Sequence, residues 1–144
     1  MQKVTRHSYG IVPLFKSDTG IEVLLILQSR LGPKVWGFPK GTPEDGESSL
    51  ETALRETKEE IGSGDIDLVP GFSYTESYVF TETDGATVHK QVTYFAGFLQ
   101  DKNVTPQMSE VDAYGWFPFD DAHEKITFPE TRAVLESLRS HMKF

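Results

Sequence analysis

The sequence predicts an α+β fold in which strands surround two longer helices. Three observations point there. Most apolar residues fall in short β-rich runs bounded by Gly, Pro, Asp and Asn. Residues 48–61 instead follow a 3.6-residue period with stop signals at both ends. A second periodic segment, "PETRAVLESLRSHMK", closes the chain. Strand-rich stretches interleaved with helices give a mixed or layered architecture. The 144 residues suffice for one domain with a real core, expected to span 1–144.

Taken in order, "SYGIVPLF" and "IEVLLILQSR" are β-rich runs either side of the turn cluster "KSDTG", and read as a hairpin. "LGPKVWGFPKGTPEDGE" is dense in Gly and Pro and reads as loop, with a short strand at Trp36–Phe38. A helix follows over 48–61. Ser48 fits the N-cap, Glu51 completes a capping box, and Gly62 stands at the C-terminal stop. "LVPGFSYTESYVFTET" and "TVHKQVTYFAGFLQ" flank Asp84-Gly85, a strong hairpin signal. "DAYGWFPF" is a further strand, "FDDAHEK" a short helical turn, and the closing helix has Pro129 in its first turn. Alternation places Phe72, Tyr74, Tyr78 and Phe80 on one strand face, most of them expected to pack.

Charge and composition exclude several functions. The formal net charge is −8, a sign that repels long nucleic acid and anionic membrane surfaces. An anionic ligand therefore needs a local basic patch or bound cations. Cysteine is absent, which removes disulfide and thiol chemistry and is compatible with a reducing cytoplasm, the expected location. No apolar run approaches the length of a membrane span, and the first residues have no signal-peptide core. The four histidines show no metal-binding spacing and read as surface residues.

The acidic stretch 41–62 raises the functional question. On the helix 48–61, Leu50, Ala53, Leu54, Thr57 and Ile61 share an apolar face. Glu56, Glu59 and Glu60 fall on another, at i, i+3 and i+4, and their carboxylates are expected to converge on a face with no cation of its own. Three acids near a helix C-terminus oppose the macrodipole. A solvated acidic face is the ordinary reading of such a cluster. Converging carboxylates at a local cost in stability point instead to a hard divalent cation, Mg²⁺ or Mn²⁺. Such a cation would also let an acidic protein hold a polyphosphate.

With its spacing, the segment reads Gly41, five residues, Glu47, seven residues, then Arg55-Glu56-Thr57-Lys58-Glu59-Glu60-Ile61-Gly62. It resembles the Nudix box, G-x5-E-x7-R-E-U-x-E-E-x-G-U, with U a bulky apolar residue. All seven fixed letters match, a coincidence of about one in 10⁸ at average residue usage. The two U positions depart, being Thr57 and Ser63. The resemblance extends through "WGFPKG", "KQVTYF", "SEVDAYGWF" and "ITFPETRAVLESL", and within the family is to the asymmetrical diadenosine tetraphosphate hydrolases.

This resemblance implies a Nudix-type α/β/α sandwich with a mixed β-sheet, and a Mg²⁺- or Mn²⁺-dependent phosphoanhydride hydrolase acting on a small-molecule nucleotide. It implies metal ligation by Glu56, Glu59 and Glu60, joined by Glu110 from the loop before a strand and by the backbone carbonyl of Gly41. Glu56, Glu60 and Glu110 are the candidates for the catalytic base, with Glu47 and Arg55 orienting the carboxylates. Lys40 and Lys90 would contact the phosphates, and Tyr78, with Tyr114 as another wall, would hold the base. For each lysine the plain alternative is a surface cation, for each tyrosine core packing. The favoured substrate is diadenosine tetraphosphate, giving ATP and AMP. Alternatives are an RNA 5′-pyrophosphohydrolase, another nucleoside polyphosphate or diphosphoinositol phosphohydrolase, a non-catalytic nucleotide sensor, or an acidic interaction module. A monomer is expected.

Overall fold

The computed structural model describes residues 3–29, 33–63, 65–107 and 109–144. Its elements run β1 (Lys3–Ser17), β2 (Gly20–Gln28), β3 (Val35–Gly37), β4 (Lys40–Gly41), α1 (Ser49–Ile61), β5 (Ile66–Leu68), β6 (Tyr74–Thr81), β7 (Thr87–Leu99), β8 (Ala113–Pro118), α2 (Phe119–Lys125) and α3 (Pro129–Met142). All the strands join one mixed sheet. The two hairpins, the capped helix and the closing helix stand where the sequence places them. Two short elements and one pairing were not anticipated. β1 begins at Lys3 and pairs parallel with β7 along Lys3–Leu14, with partners 84 residues apart, which no local pattern reveals. The two-residue β4 and three-residue β5 are too short to carry a period.

Every buried residue along the middle of β2 is apolar, and its two faces feed different cores. Val23 and Leu25 pack with Phe38, Tyr94, Val134, Leu135 and Leu138 on the α3 side. Leu24 and Ile26 pack with Ile61, Leu99 and Val111 on the α1 side. A strand covered on both faces has no use for polar alternation. The sheet is thus the filling of an α/β/α sandwich. Among the described residues, no helix is long and apolar enough to cross a membrane.

The hairpin of β1 and β2 is paired only from Leu14–Ser17 to Gly20–Val23. Beyond that the strands diverge. β2 residues Ile26–Gln28 take β3 as their neighbour on the edge β1 has left, and Tyr9–Gly10 of β1 take β4. The segment Trp36–Gly41 therefore fills a fork between the two strands. Phe38 anchors it, buried edge-on against Tyr94 with ring centroids 5.4 Å apart, and the Ile11 N–H donates to the Pro39 carbonyl at 3.2 Å. Filling the fork leads the chain directly to α1.

The α1 helix is closed at both ends. The Ser48 hydroxyl accepts from the Glu51 N–H at 3.2 Å, and the Glu51 carboxylate accepts from the Ser48 N–H at 2.9 Å. Gly62 ends the helix at φ 79°, its N–H donating to the Lys58 carbonyl. That left-handed backbone suits glycine, and the Thr105 backbone lies against the site a Cβ would occupy. We expect Ser48→Ala to lower unfolding free energy by about 0.5–2 kcal/mol, and Gly62→Ala by about 1–2 kcal/mol from the left-handed backbone alone. Urea midpoints at constant m-value check both. A neutral Gly62→Ala would mean the cap is not needed.

Candidate active site

The site begins where β4 hands over to α1. At Gly41 a side chain has no room, because a Cβ would collide with the Glu56 carboxyl group. The absence of that carbon lets the first-turn loop lie against the helix face carrying Glu56. Arg55 then binds loop to helix. Its Nε and Nη2 grip both oxygens of Glu47 at 2.6 and 3.0 Å. Nη2 also donates to the Thr42 carbonyl at 2.9 Å, while Nη1 reaches Glu56 at 3.1 Å and Glu59 at 3.3 Å. Such a planar fork is matched to carboxylates in a way a lysine is not. These bonds raise the Arg55 pKa, Glu47 first, so the group stays charged. They also hold Glu47 down at about 2, the Arg55 bond contributing most and the Glu44 N–H next.

Two expectations about the acidic face need correction. The face does carry a cation, since Arg55 lies against both Glu56 and Glu59. And Glu60 does not share their solvent. It is fully buried, with one oxygen accepting from the Lys40 backbone N–H and the other from the Gln28 side-chain amide, each at 2.9 Å. Helical spacing places three side chains on adjoining rows, but it does not say which row turns under the sheet. Among the described residues, no three acidic or histidine side chains stand close enough as they lie to hold a metal ion.

What does converge is a polar cavity of about 240 Å³. Glu56 and Glu59 of α1, Glu110 of the loop before β8, and Lys40, Gly41 and Thr42 line it, with Lys90 and Ser8 from β7 and β1. Burial raises the Glu56 carboxyl pKa; Arg55 opposes this, while the charges of Glu59 and Glu110 add to it. Lys90 Nζ donates to the Ser8 hydroxyl, which is almost fully buried. Carboxylate and carbonyl oxygens in one cavity are the donor set of a hard divalent cation. The residues present fit such an ion.

Lys40 also lines a second, smaller cavity that adjoins the first, with Glu76, Tyr78, Tyr94, Phe128 and Thr131. It opens into an aromatic slot of about 210 Å³ between Tyr78 of β6 and Phe128, the residue preceding α3. Both rings are exposed, at 37% and 49%. The expectation that the β6 aromatics mostly pack therefore fails for Tyr78 and Phe80. β6 lies at the sheet edge, paired only with β7 among the described residues, and Ser77–Thr81 are exposed. Tyr114 stands apart on β8 opposite Ile26, and lines neither cavity. Phe128, Ser8 and Glu76 were not singled out from sequence. A signal existed only for Glu76, a lone acid on the apolar face of a predicted strand.

A family model of the NUDIX domain matches residues 4–138. The chain belongs to the Nudix family. It is a Nudix hydrolase, and hydrolases of this family generally use divalent metal ions. Among its relatives, the asymmetrical bis(5′-nucleosyl)-tetraphosphatase of Sus scrofa is 39% identical over 122 residues, 83% of this chain and 79% of that protein. An RNA pyrophosphohydrolase of Nitratiruptor is 30% identical over 122 residues, 78% of this chain and 79% of the relative. The crystal structure of a C. elegans Ap4A hydrolase binary complex superposes with a TM-score of 0.83 at 26% identity, covering 96% of this chain and 98% of that one.

The Arg55–Glu47 fork gives a pH signature. Glu47 has its folded pKa lowered from 4.5 to about 2, so its contribution is fully present above pH 4.5 and is lost as pH falls towards 2. We expect Glu47→Gln to be less stable than the parent at neutral pH. The gap should stay constant down to about pH 4.5 and then close. Urea titrations across this range measure it; a gap that widens in acid would refute the assignment.

Proposed function

We propose that this Nudix hydrolase cleaves dinucleoside polyphosphates asymmetrically, with diadenosine tetraphosphate yielding ATP and AMP in the presence of Mg²⁺ or Mn²⁺. One observation carries the reading: the carboxylate cavity and the aromatic slot adjoin, with Lys40 lining both the polar cavity and the passage to the slot. A base in the slot and a phosphate chain along Lys40 and Lys90 would put an off-centre phosphorus at the carboxylates. The relatives from pig and C. elegans support the same reading by name. The RNA pyrophosphohydrolase likeness is weaker, and a net charge of −8 disfavours a long polyanion.

In this reading Glu56, Glu59, Glu60 and Glu110, with the Gly41 carbonyl, hold the cation. Both Glu60 oxygens accept a hydrogen bond, from Gln28 and from the Lys40 N–H, and a carboxylate oxygen can serve a hydrogen bond and a cation together. The cation, when bound, neutralises developing phosphate charge and acidifies a water. Arg55 keeps the carboxylates aimed, with Glu47 holding Arg55. Ser8 fixes the ammonium of Lys90 beside the cavity. Tyr78 and Phe128 stack on the base, at about 1–3 kcal/mol per stacked base. Of the three candidate bases, Glu56 and Glu110 line the cavity, whereas Glu60 is fully buried with both oxygens hydrogen-bonded.

Hydrolysis of diadenosine tetraphosphate in ¹⁸O-water should give ATP and AMP; two ADP would overturn the asymmetric reading. Tyr78→Ala should chiefly raise KM, while Glu59→Gln should leave the fold intact and lower kcat by orders of magnitude. Millimolar Mg²⁺ should raise Tm in a way EDTA reverses, since binding to the native state alone is stabilising. An indifferent Tm together with normal turnover of Glu59→Gln would favour an acidic interaction surface.

A further inference from the structure

The aromatic slot has a floor, and the floor is an acid. Alternation along β6 puts Glu76 on the same face as Tyr78, two residues away. Its side chain lines both the slot and the cavity beside it, yet the residue is only 4% exposed. A buried carboxylate is costly unless hydrogen-bonded. Here two hydroxyls from different elements donate to it. Thr131, in the first turn of α3, reaches Oε2 at 2.9 Å, and Tyr94 of β7 supplies the second bond. Burial raises the Glu76 carboxyl pKa, while the bonds from Thr131 and Tyr94 and the charge of Lys40 oppose that rise and favour the ionised acid.

The two hydroxyls fix where the carboxylate points and leave it only acceptor capacity. The other polar group on the wide part of the slot is Glu130, again an acceptor. A flat ligand in the slot therefore meets the aromatic side chains of Tyr78 and Phe128 and the carboxylates of Glu76 and Glu130. The edge that fits is one bearing N–H donors.

We propose that Glu76 is a specificity-determining residue of the slot: its carboxylate accepts a hydrogen bond from an amino group on the bound nucleobase. This rests on the reading of the slot as a nucleoside site. Thr131 and Tyr94 are positioning residues that act through Glu76. Stacking alone tolerates any base; a base without an amino group fills the slot yet leaves the remaining acceptor capacity of Glu76 without a donor, at a cost in affinity.

The test compares di(adenosine) tetraphosphate with its purine riboside analogue, which lacks the 6-amino group and keeps the ring. For the native enzyme we expect KM to be about 10-fold or more higher for the analogue, with kcat little changed. In Glu76→Gln, checked for folding by circular dichroism and Tm, the amide presents a donor in place of the acceptor, and the KM ratio should fall to about 2-fold or less. Equal KM values for the native enzyme would overturn the inference while leaving the hydrolase reading intact. A full ratio retained in folded Glu76→Gln would do the same. No turnover of either compound would overturn the nucleotide reading, and this inference with it.

Discussion

The divergence of β1 and β2 is the constraint on which the site depends. Two strands that pair for only four residues and then separate expose backbone N–H and C=O groups on both inner edges. Those groups need partners. The segment Val35–Gly41 supplies them, as β3 to β2 and as β4 to β1. Because the segment is held from both sides, the loop that follows leaves the sheet at a defined place. Glu60 secures it from below by accepting the Lys40 N–H. The buried acid has both oxygens satisfied, which is the condition under which such burial is tolerated.

The electrostatic arrangement follows from the same geometry. For a chain of net charge −8 to bind a polyanion, as proposed, its few cations must be placed carefully. Lys40 and Lys90 reach one cavity from β4 and β7, strands on opposite edges of β1. Arg55 is different in kind. Its guanidinium is committed to Glu47, Glu56, Glu59 and the Thr42 carbonyl, so its charge offsets the crowding of the box acids and fixes their positions.

Legibility in the sequence tracked the range of the interaction. The α1 caps, the turn at Asp84-Gly85 and the closing helix rest on contacts within a few residues, and local spacing was enough. Glu47 and Arg55 lie eight apart in a fixed motif and were also legible. The orientation of Glu60 was not, since it depends on Gln28 and Lys40, which the fork brings beneath the helix. Tyr78 was preferred to Tyr114 only through the resemblance, since by pattern both are aromatic residues on strands. Only the sheet order shows that β8 lies beyond β2, while β6 lies beyond β7 beside the start of α3.

By itself, then, the sequence determined the longer elements, the layered α+β class, and the family chemistry of the acidic box. Those are encoded in periodicity, capping and motif spacing, all short-range properties of the chain. Tertiary structure alone decided that Ser8 meets Lys90, that Thr131 meets Glu76 across 55 residues, and that Phe128 and Tyr78 line one cavity. A side chain's partner across a sheet is set by strand order and register, and neither leaves a periodic trace in a single sequence. The aromatic slot is built from such contacts, which is why it was the part that the sequence left open.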